Sequence, residues 1–294
     1  METKLRVCFE APHEHINPVL TQFGVIQTAR EKAKYLVPDP TKWVELNAYP
    51  KLEVIATPST GTNHIDLEAC GKRGIKVLSL LNDRDELAEI RASSEFALWH
   101  ILNALRGGGW RQWRRYDRQP EIMRGRELYE KYVGVVGFGR IGQNVAKWLS
   151  AMDVAWIHFD KNLGAERLSA IFDDCDIVLI SCELNDETRG MITEKHLSRL
   201  KKDAILVNIA RAEIIDERAL EKWTEKGGIY AADVLHAEVH GNVTSPLLSR
   251  SNCYITPHIA GTTIESEKKA ARIALTLLRA EINERHKRHP VAKI

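Results

Sequence analysis

Three residues of different chemical types, Arg211, Glu238 and His258, each follow a short apolar run. A guanidinium can hold a carboxylate bidentately, and an imidazole can give up or take a proton near neutral pH. A carboxylate beside the imidazole would stabilise its charged form and fix its orientation. Together the three groups could interconvert a carbonyl and an alcohol on an acid substrate, with the arginine binding the acid and the histidine exchanging the proton.

A glycine-rich turn, Gly-Phe-Gly-Arg-Ile-Gly over 137–142, lies upstream of all three residues. An apolar strand pattern precedes the turn and a helical pattern follows it, which is the context that a dinucleotide-binding turn requires. Gly137 would permit the tight turn, Gly139 would let a pyrophosphate approach the backbone, and Gly142 would let helix and strand pack closely. The amides around Arg140 and Ile141 would then bind the phosphate at a helix N-terminus.

Asp160 stands at the end of the next predicted strand. A carboxylate there can accept hydrogen bonds from the adenosine ribose and repel a 2′-phosphate, so it favours NAD over NADP. Two observations leave alternatives open. Asp160 could be a solvated turn aspartate, and the neighbouring Lys161 could attract a phosphate.

Short β-rich runs alternate with helical patterns along most of the chain, which predicts an α/β fold with largely parallel sheets. The predicted strands are 6–9, 24–27, 35–37, 52–56 and 76–78, then 133–136, 155–159, 177–181, 204–209, 229–234 and 254–255. The predicted helices include 65–71, 95–105 after a Ser93-Ser94 cap, 141–152, 193–200, 216–223 and 265–285. Because parallel strands direct their carboxyl ends to one edge, Arg211, Glu238 and His258 should reach a common crevice.

The last predicted helix has no strand of its own to cover, so we expect it to pack back on the first part of the chain. We therefore predict two doubly wound parallel-sheet domains. A Rossmann NAD-binding domain over 95–264 is inserted in a smaller flavodoxin-like substrate domain made of 1–94 and 265–294. The arginine- and tryptophan-rich segment 110–130 reads either as an arm packed on its own subunit or as a dimer contact.

Composition excludes several classes of function. A formal net charge of +2 gives no electrostatic case for nucleic acid as the main partner, although the basic stretch 285–289 is either a solvated helix end or a short nucleic-acid arm. Five cysteines without a C-x-x-C pair predict reduced thiols in a cytoplasmic protein and no metal site. No apolar stretch approaches the roughly 18 residues that would span a membrane.

Five stretches of the sequence resemble the D-isomer-specific 2-hydroxyacid dehydrogenases, from about Lys51 onward. The matching stretches are Gly-Thr-Asn-His-Ile-Asp at 61–66, the turn at 137–142, Asn-Ile-Ala-Arg at 208–211, Asp233-Val234 followed by Glu238, and Thr-Pro-His-Ile-Ala-Gly at 256–261. The resemblance implies an NAD-dependent enzyme that interconverts a 2-hydroxy acid and its 2-oxo acid. It also implies a homodimer.

The resemblance assigns roles to individual residues. Arg211 would bind the substrate carboxylate, and His258 would act as acid and base with Glu238 as its partner. Asp233 would contact the nicotinamide amide. The resemblance further places Ile209 and Ala210 at the cofactor, and the Ser59, Thr60 and Gly61 backbone at the substrate carboxylate as a second anchor.

The sequence also departs from the family pattern in places. Ala212 stands where glycine is frequent, Val239 follows the glutamate where proline is common, and Cys-Glu-Leu at 182–184 replaces a proline-bearing turn, which bears on loop geometry and adenine packing. The segment 80–87 looks most like the phosphoglycerate-dehydrogenase branch. Arg84 and Arg91 could hold a phosphate there, or could be surface residues paired with Asp85 and Glu95. The rival function is an NAD(H)-sensing regulator or corepressor that keeps the fold without turnover.

Overall fold

The structure is a computed structural model that describes residues 4–10, 13–107, 125–236, 238 and 244–288. Most of the arginine- and tryptophan-rich segment, Val239 and the last residue of the basic stretch lie outside these ranges. The described residues form two compact units. One comprises the residues up to Ile90 and from Thr262 onward, and the other comprises those from Arg91 to Gly261.

The first unit is built on a five-stranded parallel sheet. Its strands are β1 (Leu5–Phe9), β2 (Val25–Gln27), β3 (Tyr35–Val37), β4 (Val54–Ala56) and β5 (Lys76–Leu78), in the order β2-β1-β3-β4-β5. Its helices are α1 (Asn17–Gln22), α2 (Leu67–Lys72), α3 (Arg84–Ala88) and α9 (Ile264–Arg288). All five predicted strands are present, and the strand order is the flavodoxin-like one, which confirms the predicted fold class for this unit.

The carboxy-terminal helix α9 belongs to the first unit. Its apolar face contributes Ala271, Ala274 and Leu278 to a core that also contains Val7 of β1 and Val54 of β4. Burial of these side chains, and not helix propensity alone, is the main source of stability for a helix of this kind. This unit is therefore assembled from both ends of the chain.

An ion-pair cluster joins α9 to the sheet that it covers. Glu281 is only 9% exposed, and its carboxylate lies 2.5 Å from Lys76 Nζ and 2.9 Å from Arg285 Nε. Burial by itself would raise the pKa of Glu281, but the hydrogen bonds and charges of Lys76 and Arg285 outweigh burial and hold that pKa below its usual value. Glu281 is therefore ionised in the folded protein over a wider pH range than in the unfolded chain.

We expect Glu281→Gln to lower the free energy of unfolding by about 1 kcal/mol at pH 7. A carboxylate whose folded pKa is depressed stabilises the fold above its unfolded pKa, and this contribution is lost as the pH falls through the folded pKa. The difference between the variant and the wild type should therefore shrink on acidification below about pH 4. Urea unfolding of the variant and the wild type at pH 7 and below about pH 4 measures this difference in the free energy of unfolding. Glu284→Gln, which removes the exposed pair with Lys287, is the control and should change little at either pH.

The second unit is built on a six-stranded parallel sheet. Its strands are β6 (Tyr132–Val136), β7 (Ala155–Phe159), β8 (Ile177–Ile180), β9 (Ile205–Asn208), β10 (Ile229–Ala232) and β11 (Cys253–Ile255), in the order β11-β10-β9-β8-β6-β7. Its helices are α4 (Ala92–Leu105), α5 (Arg140–Ala151), α6 (Gly164–Asp174), α7 (Glu194–Leu197) and α8 (Glu217–Glu225). All six predicted strands are present, and the doubly wound parallel sheet confirms the predicted class.

The order of the six strands departs from the 3-2-1-4-5-6 order usual for dinucleotide-binding sheets. Here β7 is an edge strand, because the chain passes from β7 through α6 directly to β8 on the other side of β6. Arg167 of α6 donates a hydrogen bond to the carbonyl oxygen of His158 (3.1 Å), which covers an acceptor on that strand. The switch point of the sheet lies between β6 and β8, where the glycine-rich turn follows β6.

Several predicted helix bounds differ from the observed ones by one to three residues, and two of them are instructive. Helix α4 begins at Ala92, ahead of the predicted Ser93-Ser94 cap, because Ser94 is buried and its hydroxyl accepts a hydrogen bond from Asn144 of α5 (3.2 Å). Helix α2 continues past Gly71 to Lys72, and Gly74, with a φ of 66°, follows its end.

Among the described residues, no helix is long and apolar enough to cross a membrane.

Candidate active site

The three candidate catalytic residues follow neighbouring strands of the second sheet. Arg211 follows β9, Glu238 follows β10 and His258 follows β11, and these strands are adjacent in the order β9-β10-β11. The structure brings two of the three into direct contact, since His258 Nδ1 lies 2.6 Å from Glu238 Oε1. The second glutamate oxygen accepts a hydrogen bond from the Leu235 amide (2.9 Å), which fixes the carboxylate. With Nδ1 engaged, Nε2 is the ring nitrogen that a substrate could meet.

Arg211 is half-buried at the end of β9, and its NH1 donates to the carbonyl oxygen of Ala210 (2.6 Å). Burial lowers the pKa of Arg211, while the nearby carboxylates of Glu238, Glu213 and Asp233 raise it. An arginine nonetheless keeps its charge in proteins. The site therefore holds a partly desolvated cation, which is suited to an anionic ligand.

Asn208 sets the turn that carries Arg211, a role that the sequence did not reveal. It is the last residue of β9 and is fully buried. Its side-chain nitrogen donates to the carbonyl oxygen of Arg211 and its side-chain oxygen accepts from the amide of Ala210, both at 3.0 Å. Ile209 and Ala210, predicted at the cofactor, are buried within this turn.

Asp233 follows β10 and is 1% exposed. Burial raises its pKa, and hydrogen bonds from Thr256 and from the amides of Ala260 and Ile259 oppose that rise. These bonds, at 2.5, 2.7 and 2.9 Å respectively, tie the carboxylate to the loop that carries His258. The residue predicted to contact the nicotinamide amide therefore also has a structural task.

The glycine-rich turn has room only for glycine at two of its positions. Gly137 has a φ of 93°, and a Cβ there would lie 2.4 Å from the backbone nitrogen of Cys182 after β8. A Cβ at Gly142 would lie 2.3 Å from the carbonyl oxygen of Gly137. At Gly139, which precedes α5, a Cβ would meet nothing within 4 Å, so space remains beside the backbone. Close packing around an open helix N-terminus fits the pyrophosphate of a dinucleotide.

The remaining predicted cofactor residues surround this turn. Arg140 is the first residue of α5 and Ile141 the second. Asp160 follows β7, and its Oδ2 accepts a hydrogen bond from the amide of Phe138 in the turn (3.2 Å). Burial raises the pKa of Cys182 to about 12, so the residue that packs against Gly137 stays a neutral thiol. No cluster of His, Cys, Asp or Glu able to hold a metal occurs within the described ranges.

The predicted second anchor lies in the first unit, after β4. The Gly61 amide donates to the Ser59 hydroxyl (3.1 Å), and the Ser59 carbonyl oxygen accepts from the Leu80 amide (3.1 Å). The Gly61 amide is therefore already engaged, and Thr60 lies between the two bonded residues. Arg84 and Arg91 are exposed, and in the described part of the chain neither forms an ion pair with Asp85 or Glu95.

Comparisons with family models, known proteins and solved structures all lead to 2-hydroxyacid dehydrogenases. The family model for "D-isomer specific 2-hydroxyacid dehydrogenase, NAD binding domain" matches residues 98–260. The glyoxylate reductase of Pyrococcus furiosus is 34% identical, over 76% of this chain and 71% of that protein. The D-3-phosphoglycerate dehydrogenase of Methanocaldococcus jannaschii is 29% identical, over 96% of this chain and 57% of that protein. The crystal structure of Aquifex aeolicus D-lactate dehydrogenase complexed with NAD and lactic acid shares the fold, with a TM-score of 0.73 and 23% identity over 97% of both chains.

Proposed function

The chain belongs to the D-isomer specific 2-hydroxyacid dehydrogenase family and is an NAD-dependent enzyme, and from this premise we propose that Arg211, Glu238 and His258 catalyse the reduction of a small 2-oxo acid. The observation that carries the proposal is the 2.6 Å contact between His258 and Glu238 at the strand ends beside Arg211. Family membership confirms the resemblance seen in the sequence and the NAD cofactor.

Each residue has a separate task in the proposed reaction. NADH, when bound, supplies a hydride to C2 of the 2-oxo acid. Arg211 binds the substrate carboxylate and fixes the orientation of the carbonyl. As the carbonyl electron pair moves onto oxygen, His258 donates the Nε2 proton to that oxygen and becomes neutral. Glu238 stabilises the charged imidazole before the transfer, and the same groups act in reverse when the 2-hydroxy acid is oxidised.

The glycine-rich turn and its surroundings would hold the cofactor. Amides at the start of α5 would bind the pyrophosphate, and Asp160 would accept hydrogen bonds from the ribose. Ile209, Ala210 and Asp233 would line the nicotinamide end, with Asp233 bonded to its amide. The open space beside Gly139 and the carboxylate beside the turn support this placement.

For the substrate we propose glyoxylate or a similar short 2-oxo acid first, because the Pyrococcus furiosus glyoxylate reductase is the more similar of the two relatives. A phosphoglycerate-like acid is the second candidate. The segment 80–87 and the exposed Arg84 and Arg91 favour it, with the Ser59–Gly61 backbone as a further anchor.

A panel of 2-oxo acids tested with NADH and with NADPH separates these possibilities. Glyoxylate, hydroxypyruvate and 3-phosphohydroxypyruvate are supplied in turn, and consumption of reduced nicotinamide is followed by absorbance. We expect turnover of at least one acid, with NADH preferred because Asp160 would repel a 2′-phosphate. NADH binding without turnover of any acid would contradict the proposal and favour the regulator.

Three further proposals concern the whole protein. We place the domain boundaries near the predicted 94/95 and 264/265, and the support for them is that the two compact units divide three to four residues earlier, at 90/91 and 261/262. All five cysteines are unpaired, which supports a reducing, cytoplasmic location. The homodimer rests on the family resemblance, and light scattering of the purified protein tests it.

A further inference from the structure

A fully buried histidine contacts the loop that carries His258 and has no role in the mechanism above. His100 of α4 is 0% exposed, and burial lowers its pKa to about 4, so the ring is neutral near pH 7. Its Nε2 lies 3.1 Å from the Thr256 hydroxyl, while Nδ1 has no hydrogen-bond partner among the described residues. A buried ring nitrogen without a partner is costly, so each such group requires an explanation.

The hydrogen bonds from His100 run in one direction. Asp233 Oδ1 lies 2.5 Å from the Thr256 hydroxyl and 2.9 Å from the Ile259 amide, so donors converge on this carboxylate. The Thr256 hydroxyl therefore donates to Asp233 and accepts from His100, which makes Nε2 the protonated nitrogen of the ring. A chain of this kind strengthens each of its bonds in a dry interior.

The chain ends on the loop that carries His258. Asp233 accepts from Thr256 on one side of His258 and from the Ile259 and Ala260 amides on the other. His258 itself has a φ of 54°, a left-handed conformation that is unfavourable for a residue other than glycine. Such a conformation persists only where the surroundings impose it.

We propose that Thr256 is a positioning residue, supported by His100, which locks Asp233 onto the 256–260 loop and so sets the imidazole of His258 against Glu238. The inference rests on the proposed function, because it assigns a support to the residue that moves the proton. It also explains why a neutral histidine is buried in α4. Only an uncharged ring can donate to the hydroxyl there without bringing an unpaired charge into the core.

Thr256→Val tests the proposal, since valine keeps the shape of threonine and removes the hydroxyl. We expect kcat to fall about 10- to 100-fold, the loss that a displacement of about 1 Å in a reacting group can cause. The solvent isotope effect on kcat should rise, because proton delivery from a displaced His258 becomes slower. Thr256→Ser keeps the hydroxyl and should restore kcat to within about threefold of the wild type.

Thr224→Val is the matched control in the same unit. Thr224 is also buried, and its hydroxyl accepts from Arg250 and donates to the Leu220 carbonyl oxygen (3.0 Å), but it lies in α8 outside the proposed site. We expect this variant to lower Tm without changing kcat per folded protein or the isotope effect. An equal fall in kcat for both valine variants would mean that Thr256 contributes only to stability and would overturn the proposal.

Removal of His100 tests the first link. As a single substitution, His100→Leu should lower kcat about 3- to 10-fold. Added to the Thr256→Val variant, it should lower kcat by less than about twofold. Equal effects in the two backgrounds would show that His100 acts independently of Thr256 and would overturn its place in the chain.

Hydrogen exchange gives a reading that does not depend on turnover. The amides of Ile259 and Ala260 should exchange faster in Thr256→Val than in the wild type, and at the wild-type rate in Thr224→Val. If the wild type reduces no 2-oxo acid, the proposed function fails, and unchanged exchange would then overturn the positioning role of Thr256 as well. If the wild type is active and Thr256→Val keeps its kcat, the positioning role of Thr256 is wrong and the proposed function stands.

Discussion

His258→Asn is expected to lower kcat by about 10²- to 10⁴-fold, the range for loss of a general acid–base group, while the affinity for NADH stays within about twofold. Asparagine cannot carry the proton. It does tolerate positive φ better than most residues, so the backbone at φ 54° can be kept. Alanine at the same position would add backbone strain to the chemical loss. Stopped-flow turnover and NADH fluorescence titration measure the two quantities on the same preparation.

Two further variants serve as a comparison and a control for His258→Asn. Glu238→Gln keeps an acceptor for the Leu235 amide but removes the charge beside His258, so it should cost less than His258→Asn, about 10- to 100-fold. His286→Asn changes an exposed histidine on α9 and should leave kcat unchanged. If His258→Asn kept a near-normal kcat, another group would have to supply the proton.

The placement of these residues could be predicted because the strands are parallel and strongly apolar. Residues 177–180 and 205–208 are wholly buried, so the apolar runs marked both strands clearly. Each chemical residue follows such a run, and parallel strands end at one edge. The contact between His258 and Glu238 follows from that geometry, even though 20 positions separate the two residues in sequence.

Other features depend on long-range contacts that local patterns do not encode. His100 lies in an apolar helix, and its partner Thr256 is 156 positions away, so no local sequence pattern marks their contact. The start of α4 was misplaced because Ser94 bonds to Asn144 and does not cap the helix. Asn208 stood inside a recognised motif, but its task of holding the 208–211 turn became visible only from its two hydrogen bonds.

Arg211 offers the second large effect, because its position depends on a turn and not on its charge alone. Its NH1 is tied to the Ala210 carbonyl oxygen, and Asn208 holds the same turn. The remaining guanidinium donors can then face a carboxylate as a fixed fork, which a lysine ammonium cannot reproduce. Burial lowers the pKa of Arg211, and the carboxylates of Glu238, Glu213 and Asp233 only partly oppose that shift. Without the guanidinium, these groups would repel an acid substrate.

We expect Arg211→Gln to lower kcat/KM for a 2-oxo acid by about 10²- to 10⁴-fold, since two hydrogen bonds to a charged group are worth roughly 3–6 kcal/mol. Arg211→Lys keeps the charge but loses the fork, so it should recover only part of this loss. Arg199→Lys, which alters an exposed arginine paired with Asp173, is the control and should leave kcat/KM unchanged. If Arg211→Lys equalled the wild type, charge alone would suffice. If Arg211→Gln also kept its kcat/KM, the carboxylate would be held elsewhere, and the Ser59–Gly61 backbone would become the anchor to test.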